Sequence, residues 1–300
     1  MTSDAKHVVV IGAGIVGVSS AIWLLRQGHR VTMIDRSEPG EGTSYGNAGL
    51  LASAATLPVT TPGLLRKAPY LALNPKQPLF LNWRKLPGVL PWLTQYIRHA
   101  NAKDAKFRAA AILPLIGDSL NDHQALAKGT GAEDWIVPCD YVYGYTSRAA
   151  FQADHFSWSI RRESGFSFRE LDGPAFRAYD PIYSDAIGHA AVLANHGRIR
   201  DPGRYVKTLA KHAEKQGASV IKAEVNDVVQ ESGRVSGVRI GGEIIDCDAM
   251  VLTAGVWSKN LAEKLKLDVP LQAESGFHLE LWEPSVMPRS PVMVSQGKFV

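Results

Sequence analysis

The apolar pattern opens with an unbroken run, Val8 to Ile11, then glycines at 12, 14 and 17 set in a second apolar stretch. A polar break at Arg26 to Arg30 follows, and apolar character returns up to Ile34. A β-branched run of this kind predicts a parallel strand buried on both faces. The spacing after it predicts a glycine turn, a helix starting near Ile15 and ending at Gly28, and a second strand over Arg30–Ile34 closed by Asp35. A signal peptide or membrane anchor is not expected. The leader MTSDAKH places Asp4 beside Lys6 and His7, and Arg26 closes the apolar run short of the ~20 residues a span needs.

The pattern then changes. Residues 38–51, EPGEGTSYGNAGLL, read as a small-residue loop, and a proline-studded tract runs on to about Arg98. Tyr141 to Thr146 alternates like a strand, Ala149 to Arg162 has helical spacing closing at Gly165, and Phe166 to Leu171 returns as a strand. From Asp201 the first pattern resumes. Asp201 caps a predicted helix with Pro202 in its first turn and Gly217 past its end, and a strand through Val220 and Ile221 follows. Val235–Ile240 and Glu243–Cys247 form a predicted hairpin across Gly241-Gly242, and AMVLTAGVWS supplies one more buried strand. The expected fold class is α/β, with a discontinuous Rossmann-like domain over 1–52 and 191–265. An inserted α+β domain is expected over 53–190 and 266–300. Three hundred residues suit two such domains.

The two cysteines, Cys139 and Cys247, lie far apart, which points to a reducing, cytoplasmic setting. No spacing suggests a metal site. The charge of +4 matters for its distribution. Between Glu41 and Asp104 there is no acid, yet Arg66, Lys67, Lys76, Arg84, Lys85, Arg98 and Lys103 fall inside. Trp83, Trp92, Tyr70 and Tyr96 share that window. Pro58, Pro62, Pro69, Pro75, Pro78, Pro87 and Pro91 exclude a spanning helix there. Cations among aromatics over residues 57–103 suit peripheral contact with an anionic membrane, a gain of ~1 kcal/mol per cation. A solvated domain face is the plainer reading. A single basic window without an RNA-binding module gives no ground to expect a nucleic-acid partner.

The first motif carries the chemistry. Gly12 permits the tight turn, Gly14 lets a diphosphate approach the backbone, and Gly17 lets the helix pack on the strand. The helix start at Ile15 and Val16 aims N–H groups and a positive dipole end at that diphosphate. Asp35 stands where an acid accepts hydrogen bonds from ribose hydroxyls and repels a 2′-phosphate, with Arg36 beside it. A dinucleotide is expected. A nicotinamide enzyme built on two consecutive halves would continue at once into further βαβ units, and this chain does not.

GAGIVG…ID, TSYGNAG, RIRDPGRYVKTLAKHAEKQGA, VNDV and VLTAGVWS, in that order and spacing, resemble the D-amino-acid oxidase/dehydrogenase superfamily, which also contains glycine oxidase and sarcosine oxidase. The NAG loop and GFHL are most similar to its bacterial D-amino-acid dehydrogenase branch. The resemblance implies FAD. It implies that Ser44, Asn47, Ala48 and Gly49 pass beside the flavin ring and that Val225 lies by the adenine. It also implies that Thr253, Ala254 and Gly255 bring the last parallel strand against the cofactor, with Trp257 starting the next turn. Plain turn or core roles remain open for all of these.

The implied reaction is hydride transfer from an amino-acid α-carbon, with the protein orienting the C–H bond. His278 is the catalytic candidate, and Tyr143 and Tyr145 are candidates to line a substrate cavity. The family usually clamps the substrate carboxylate with an arginine and a tyrosine supplied late. Its members usually continue past VSQGKFV, so part of that clamp is expected outside these residues. D-amino-acid dehydrogenation feeding a respiratory acceptor is the leading expectation. Oxidation of glycine, sarcosine or hydroxyproline, an NAD-dependent dehydrogenase, and a non-catalytic flavin-binding subunit are the alternatives.

Overall fold

A computed structural model describes residues 5–58, 60–62, 86–273, 275–296 and 299–300. In chain order it begins with β1 (His7–Ile11), α1 (Ile15–Arg26), β2 (Arg30–Asp35), β3 (Leu50–Leu51), α2 (Leu86–Arg98), α3 (Ala102–Ile116) and α4 (Ser119–Ala127). Next come β4 (Ile136–Tyr145), α5 (Arg148–Ala153), α6 (His155–Glu163), β5 (Arg169–Asp172), α7 (Gly173–Tyr179) and β6 (His189–Ile199). The chain continues through α8 (Pro202–Lys215), β7 (Ser219–Lys222), β8 (Val225–Glu231), β9 (Arg234–Ile240) and β10 (Glu243–Asp246). It closes with β11 (Ala249–Leu252), α9 (Ser258–Lys264) and β12 (Val292–Val294).

The chain divides into two compact units. The first comprises Met1–Gly49, Asp122–Val137 and Ile199–Leu281. Its parallel sheet has the order β11-β1-β2-β7, with Val8 opposite both Ala249 and Val31, and Met33 opposite Val220. The late return strand therefore pairs with the first one, so residues some 240 apart in sequence lie side by side in one sheet. A three-stranded antiparallel sheet, β10-β9-β8, packs its Val225, Val228 and Val238 with Val9, Ile11 and Ile34 in one core. Asp201 caps α8 by accepting the Arg204 N–H at 2.9 Å, and Gly217 past its end has φ +98°, as the sequence predicts. The Gly241-Gly242 hairpin forms with Glu243 opposite Ile240.

The second unit comprises Leu50–Asn121, Pro138–Arg198 and Trp282–Val300. Its sheet runs β12-β4-β6-β3, with β5 also on β6. One face of β4 presents Tyr141, Tyr143 and Tyr145 to Trp158 and Phe151, and the other presents Val142 to Phe176 and Val192.

Several expectations change in detail. Ala149–Arg162 is two helices, not one. Asp154 breaks it, because its carboxylate accepts the Tyr145 hydroxyl at 2.8 Å and the Ser157 hydroxyl. β5 begins only at Arg169, and β4 begins five residues before Tyr141. The proline-studded tract contains a helix, α2, that runs through Pro91. Residues 122–137, expected in the insertion, group with the first unit, as do 266–281. Of the seven window cations, Arg66, Lys67, Lys76, Arg84 and Lys85 lie outside the described residues. No described helix is long and apolar enough to cross a membrane.

Candidate functional site

The first unit holds a cavity of about 610 Å³ at the carboxyl ends of β1, β2 and β11, within the ~300–1,000 Å³ typical of ligand sites. Three features shape it. At the turn, Gly12 takes φ +104°, and an added Cβ would lie 2.5 Å from Thr253 O. A Cβ on Gly17 would lie 1.8 Å from Gly12 O, so the helix sits against the turn with no room for a side chain. Thr253 locks this edge: its N–H donates to Ile11 O at 2.8 Å, and its hydroxyl sits 2.8 Å from Ile11 O and 3.1 Å from Gly12 O.

Asp35 ends β2 with both oxygens engaged. Oδ2 accepts the Ala13 N–H at 2.7 Å and Oδ1 accepts the Ser37 N–H at 2.9 Å. The acid therefore braces the glycine turn, and each oxygen keeps a second lone pair for a sugar hydroxyl. Next to it, the Arg36 guanidinium stacks 4.0 Å over the Trp257 ring, both at the cavity wall.

The loop over residues 40–47 supplies the opposite wall. Ser44 Oγ accepts the Ile15 N–H at 3.0 Å, taking one of the amides expected to face a diphosphate and tying the loop to the helix start. Asn47 spends its side chain on the loop itself: Nδ2 donates to Ser44 O, and Oδ1 accepts the Gly49 N–H at 2.8 Å. Gly14 faces Ser44 closely, a Cβ there coming 3.2 Å from Oγ. The N-cap of α1 is Gly14, which has no side chain to cap the helix, and Ser44 bonds only the Ile15 amide, so the rest of the dipole end at Gly14 to Val16 opens on the cavity.

Of the expected residues, Gly12, Gly14, Ile15, Val16, Asp35, Arg36, Ser44, Asn47, Val225, Thr253, Ala254, Gly255 and Trp257 all line this one cavity. Gly17, Ala48 and Gly49 do not. Gly17 serves the packing just described, and Gly49, at φ +63°, offers its carbonyl to the Ile199 N–H at 2.6 Å. His278 is also absent from the wall. Its half-exposed ring rests on Gly46, where a Cβ would lie 2.4 Å from Cε1, and Nε2 faces Glu280 at 3.5 Å. Tyr143 and Tyr145 belong to the aromatic core of the second unit.

Asn260, Leu261 and Lys264 also line the wall, and the sequence pattern does not single them out. Their signal is present, since 260, 261 and 264 repeat at helical spacing within α9, in step with Trp257 just before it. Lys264 Nζ donates to Asn226 O and lies 3.6 Å from Asp227. The shape and donors fit an adenine dinucleotide: a diphosphate-width turn without side chains, an acid for the sugar, and small residues along the loop. Among the described residues no group of acids, histidines or cysteines could hold a metal.

Comparison with known proteins agrees. Residues 7–299 match the family described as DAO, FAD dependent oxidoreductase. The chain is 36% identical to a D-amino-acid oxidase of Bradyrhizobium diazoefficiens, over 99% of this chain and 71% of that protein. It is 28% identical to a D-amino acid dehydrogenase of Helicobacter pylori, over 93% and 67%. Glycine oxidase from Bacillus cereus shares the fold with a TM-score of 0.57 at 21% identity, over 86% of this chain and 57% of that one. L-Amino acid deaminase from Proteus myxofaciens does so with 0.61 at 17%, over 89% and 49%. The chain thus spans about half the length of these solved structures. With the family matched over nearly its whole length, the chain belongs to the DAO family of FAD-dependent oxidoreductases.

Proposed function

We propose that the protein oxidises the α-carbon–nitrogen bond of D-amino acids to imino acids, which water converts to 2-oxo acids and ammonia. FAD, when bound, supplies the two-electron acceptor for the α-hydrogen. The observation that carries this reading is the cavity itself, joined to the 36% identity with a D-amino-acid oxidase.

In this reading Gly12, Gly14, Ile15 and Val16 hold the diphosphate and Asp35 holds the ribose, while Arg36, Val225 and Trp257 flank the adenine end. Ser44, Asn47, Ala48 and Gly49 keep the loop beside the flavin, and Thr253 to Gly255 support it from β11. His278 keeps that loop in place by its packing on Gly46, acting as a positioning residue.

Anaerobic mixing tests the reading. The flavin absorbance of the holoprotein should bleach with D-alanine and not with L-alanine. Bleaching by glycine or sarcosine instead would replace the substrate class with that of the glycine oxidase neighbours. Reoxidation by a quinone analogue faster than by oxygen would support a respiratory acceptor.

Peripheral membrane contact through residues 57–103 is a second proposal. It is supported by the acid-free charge of that window and by α2, where Leu90 and Trp92 are 49% and 52% exposed and Trp92 stacks on Tyr96 at 4.8 Å. Failure to co-sediment with anionic liposomes at physiological salt would remove it.

A further inference from the structure

From Asp35 the cavity wall passes to the start of β8. Ala223 donates its N–H to Asp35 O at 2.8 Å, and Ala223, Glu224, Val225 and Asn226 all line the wall. There the pairing of β8 with β9 slips. Val225 stands opposite Ile240 and Asp227 opposite Arg239, which leaves Asn226 as the extra residue of a bulge. A bulge beside a binding site re-aims a side chain. Side chains on both flanks hold this one. Asn226 Oδ1 accepts the Gly241 N–H at 2.9 Å, the Lys264 ammonium donates to Asn226 O, and the same ammonium lies 3.6 Å from Asp227. Val225 and Leu261 share one core, which keeps α9 packed against the start of β8.

The bond to Gly241 fixes the direction of the Asn226 amide. With Oδ1 on an N–H, the end left over is Nδ2, and it can only donate. Asn260 lies one turn before Lys264 on α9, so it shares that helix face and that cavity wall. Among the described residues neither Asn226 Nδ2 nor the Asn260 amide has a hydrogen-bond partner. Flat and apolar surface lies on the same wall: Val225, Leu261 and the Trp257 ring. Apolar surface bordered by free amides suits a planar base that is stacked on its face and read along one edge.

We propose that Asn226 and Asn260 select the base of the dinucleotide, Asn226 Nδ2 donating to N1 of adenine and the Asn260 amide accepting from its 6-amino group. Lys264 is a positioning residue that holds the bulge. Asn226 is the stricter of the pair, because the Asn260 amide is free to turn over and donate whereas Asn226 is pinned by Gly241. A hypoxanthine ring carries N1–H and a 6-oxo group, so it meets Asn226 donor to donor. The inference rests on FAD as the cofactor with its adenine at this end, and it is independent of which amino acid is oxidised.

The probe is the FAD analogue with hypoxanthine in place of adenine. Holoprotein is exchanged against a large equimolar excess of FAD and the analogue, freed of unbound flavin, and its released dinucleotides are counted by chromatography. Their ratio cancels any effect on folding or on the diphosphate and flavin contacts that the two ligands share. Wild type should retain FAD over the analogue by at least about tenfold. Asn226→Asp keeps an acceptor for Gly241 but puts an oxygen in place of Nδ2, so it should reverse the preference. Lys264→Met frees the bulge and should bring the ratio to within about threefold. Asn260→Leu should lower the retention of both dinucleotides and leave the ratio in favour of FAD. Equal retention by wild type overturns the proposal, as does a wild-type ratio in Asn226→Asp or in Lys264→Met. If Asn226→Asp does not fold, the wild-type ratio and Lys264→Met decide. A folded protein that takes up neither dinucleotide ends the cofactor reading too, whereas equal uptake of both ends only the selection by Asn226.

Discussion

The two units solve opposite problems. Around the glycine turn and loop of the first, polar groups on the walls are already spoken for: Asp35 on Ala13 and Ser37, Ser44 on Ile15, Asn47 on its own loop, Thr253 on Ile11. Shape is fixed by backbone and by missing side chains, so a ligand meets a finished mould. The interior of the second is built from large rings, Tyr141, Tyr143, Tyr145, Phe151 and Trp158, and leaves Arg161, Thr56 and Thr60 unsatisfied. A mould of backbone tolerates almost no added atoms. A cluster of rings held by side-chain contacts can repack around a conservative substitution. The two regions should therefore fail differently.

The largest effect is expected at Gly17. Alanine there puts a methyl 1.8 Å from Gly12 O, which neither the helix nor the turn can yield to without separating. Gly17→Ala should cost at least about 3 kcal/mol and purify colourless; a yellow protein of normal urea midpoint would show that the turn is not the mould described. Next in size is Asp35→Ala, which removes two backbone hydrogen bonds and the sugar acceptor. FAD affinity should fall by about 2–3 kcal/mol, roughly 30- to 150-fold, by fluorescence titration.

This difference also explains what the chain made legible. Glycine spacing, the acid at 35, the Asp201 cap and the Gly241-Gly242 turn are local rules, and each holds where a local backbone conformation decides the outcome. Asp154 follows no such rule: it breaks a helical pattern because Tyr145, at the end of β4, engages its carboxylate. α2 runs through Pro91 because only one backbone hydrogen bond is lost there, and Thr94 Oγ1 bonds the Pro91 carbonyl at 2.8 Å. His278 reads as an active-site group from its motif, yet its placement depends on Gly46, more than two hundred residues away. Lys264 shows in the sequence only as a helical repeat, because its partner Asn226 lies on β8, 38 residues away.

The Gly46–His278 contact sharpens the comparison with a smaller effect, because here the obstacle is a half-exposed side chain. Gly46→Ala should weaken FAD binding by about 1 kcal/mol in wild type and by nearly nothing in a His278→Ala background. Additive losses would mean that the ring does not hold the loop.

The smallest effect tests the second unit through proton binding. His196 is buried against Tyr141, donates from Nδ1 to Ala194 O at 2.9 Å, and accepts the Ala54 N–H on Nε2 at 3.2 Å. Burial holds its pKa below the ordinary 6.5, with the Ala194 hydrogen bond and Asp140 opposing. Because the unfolded chain takes up the proton first as pH falls, the stability contributed by neutral His196 is complete above 6.5. It drains away between 6.5 and the lowered folded value. Protonated His196 cannot accept from Ala54, a loss of about 1 kcal/mol. His123 in the first unit is shifted downward by burial as well, so the wild-type acid slope alone does not isolate His196. The difference between wild type and His196→Gln does. Urea midpoints measured from pH 7 to pH 5 should converge as the wild type loses its advantage, and curves that stay parallel would show that His196 carries its proton equally in the folded and unfolded chain.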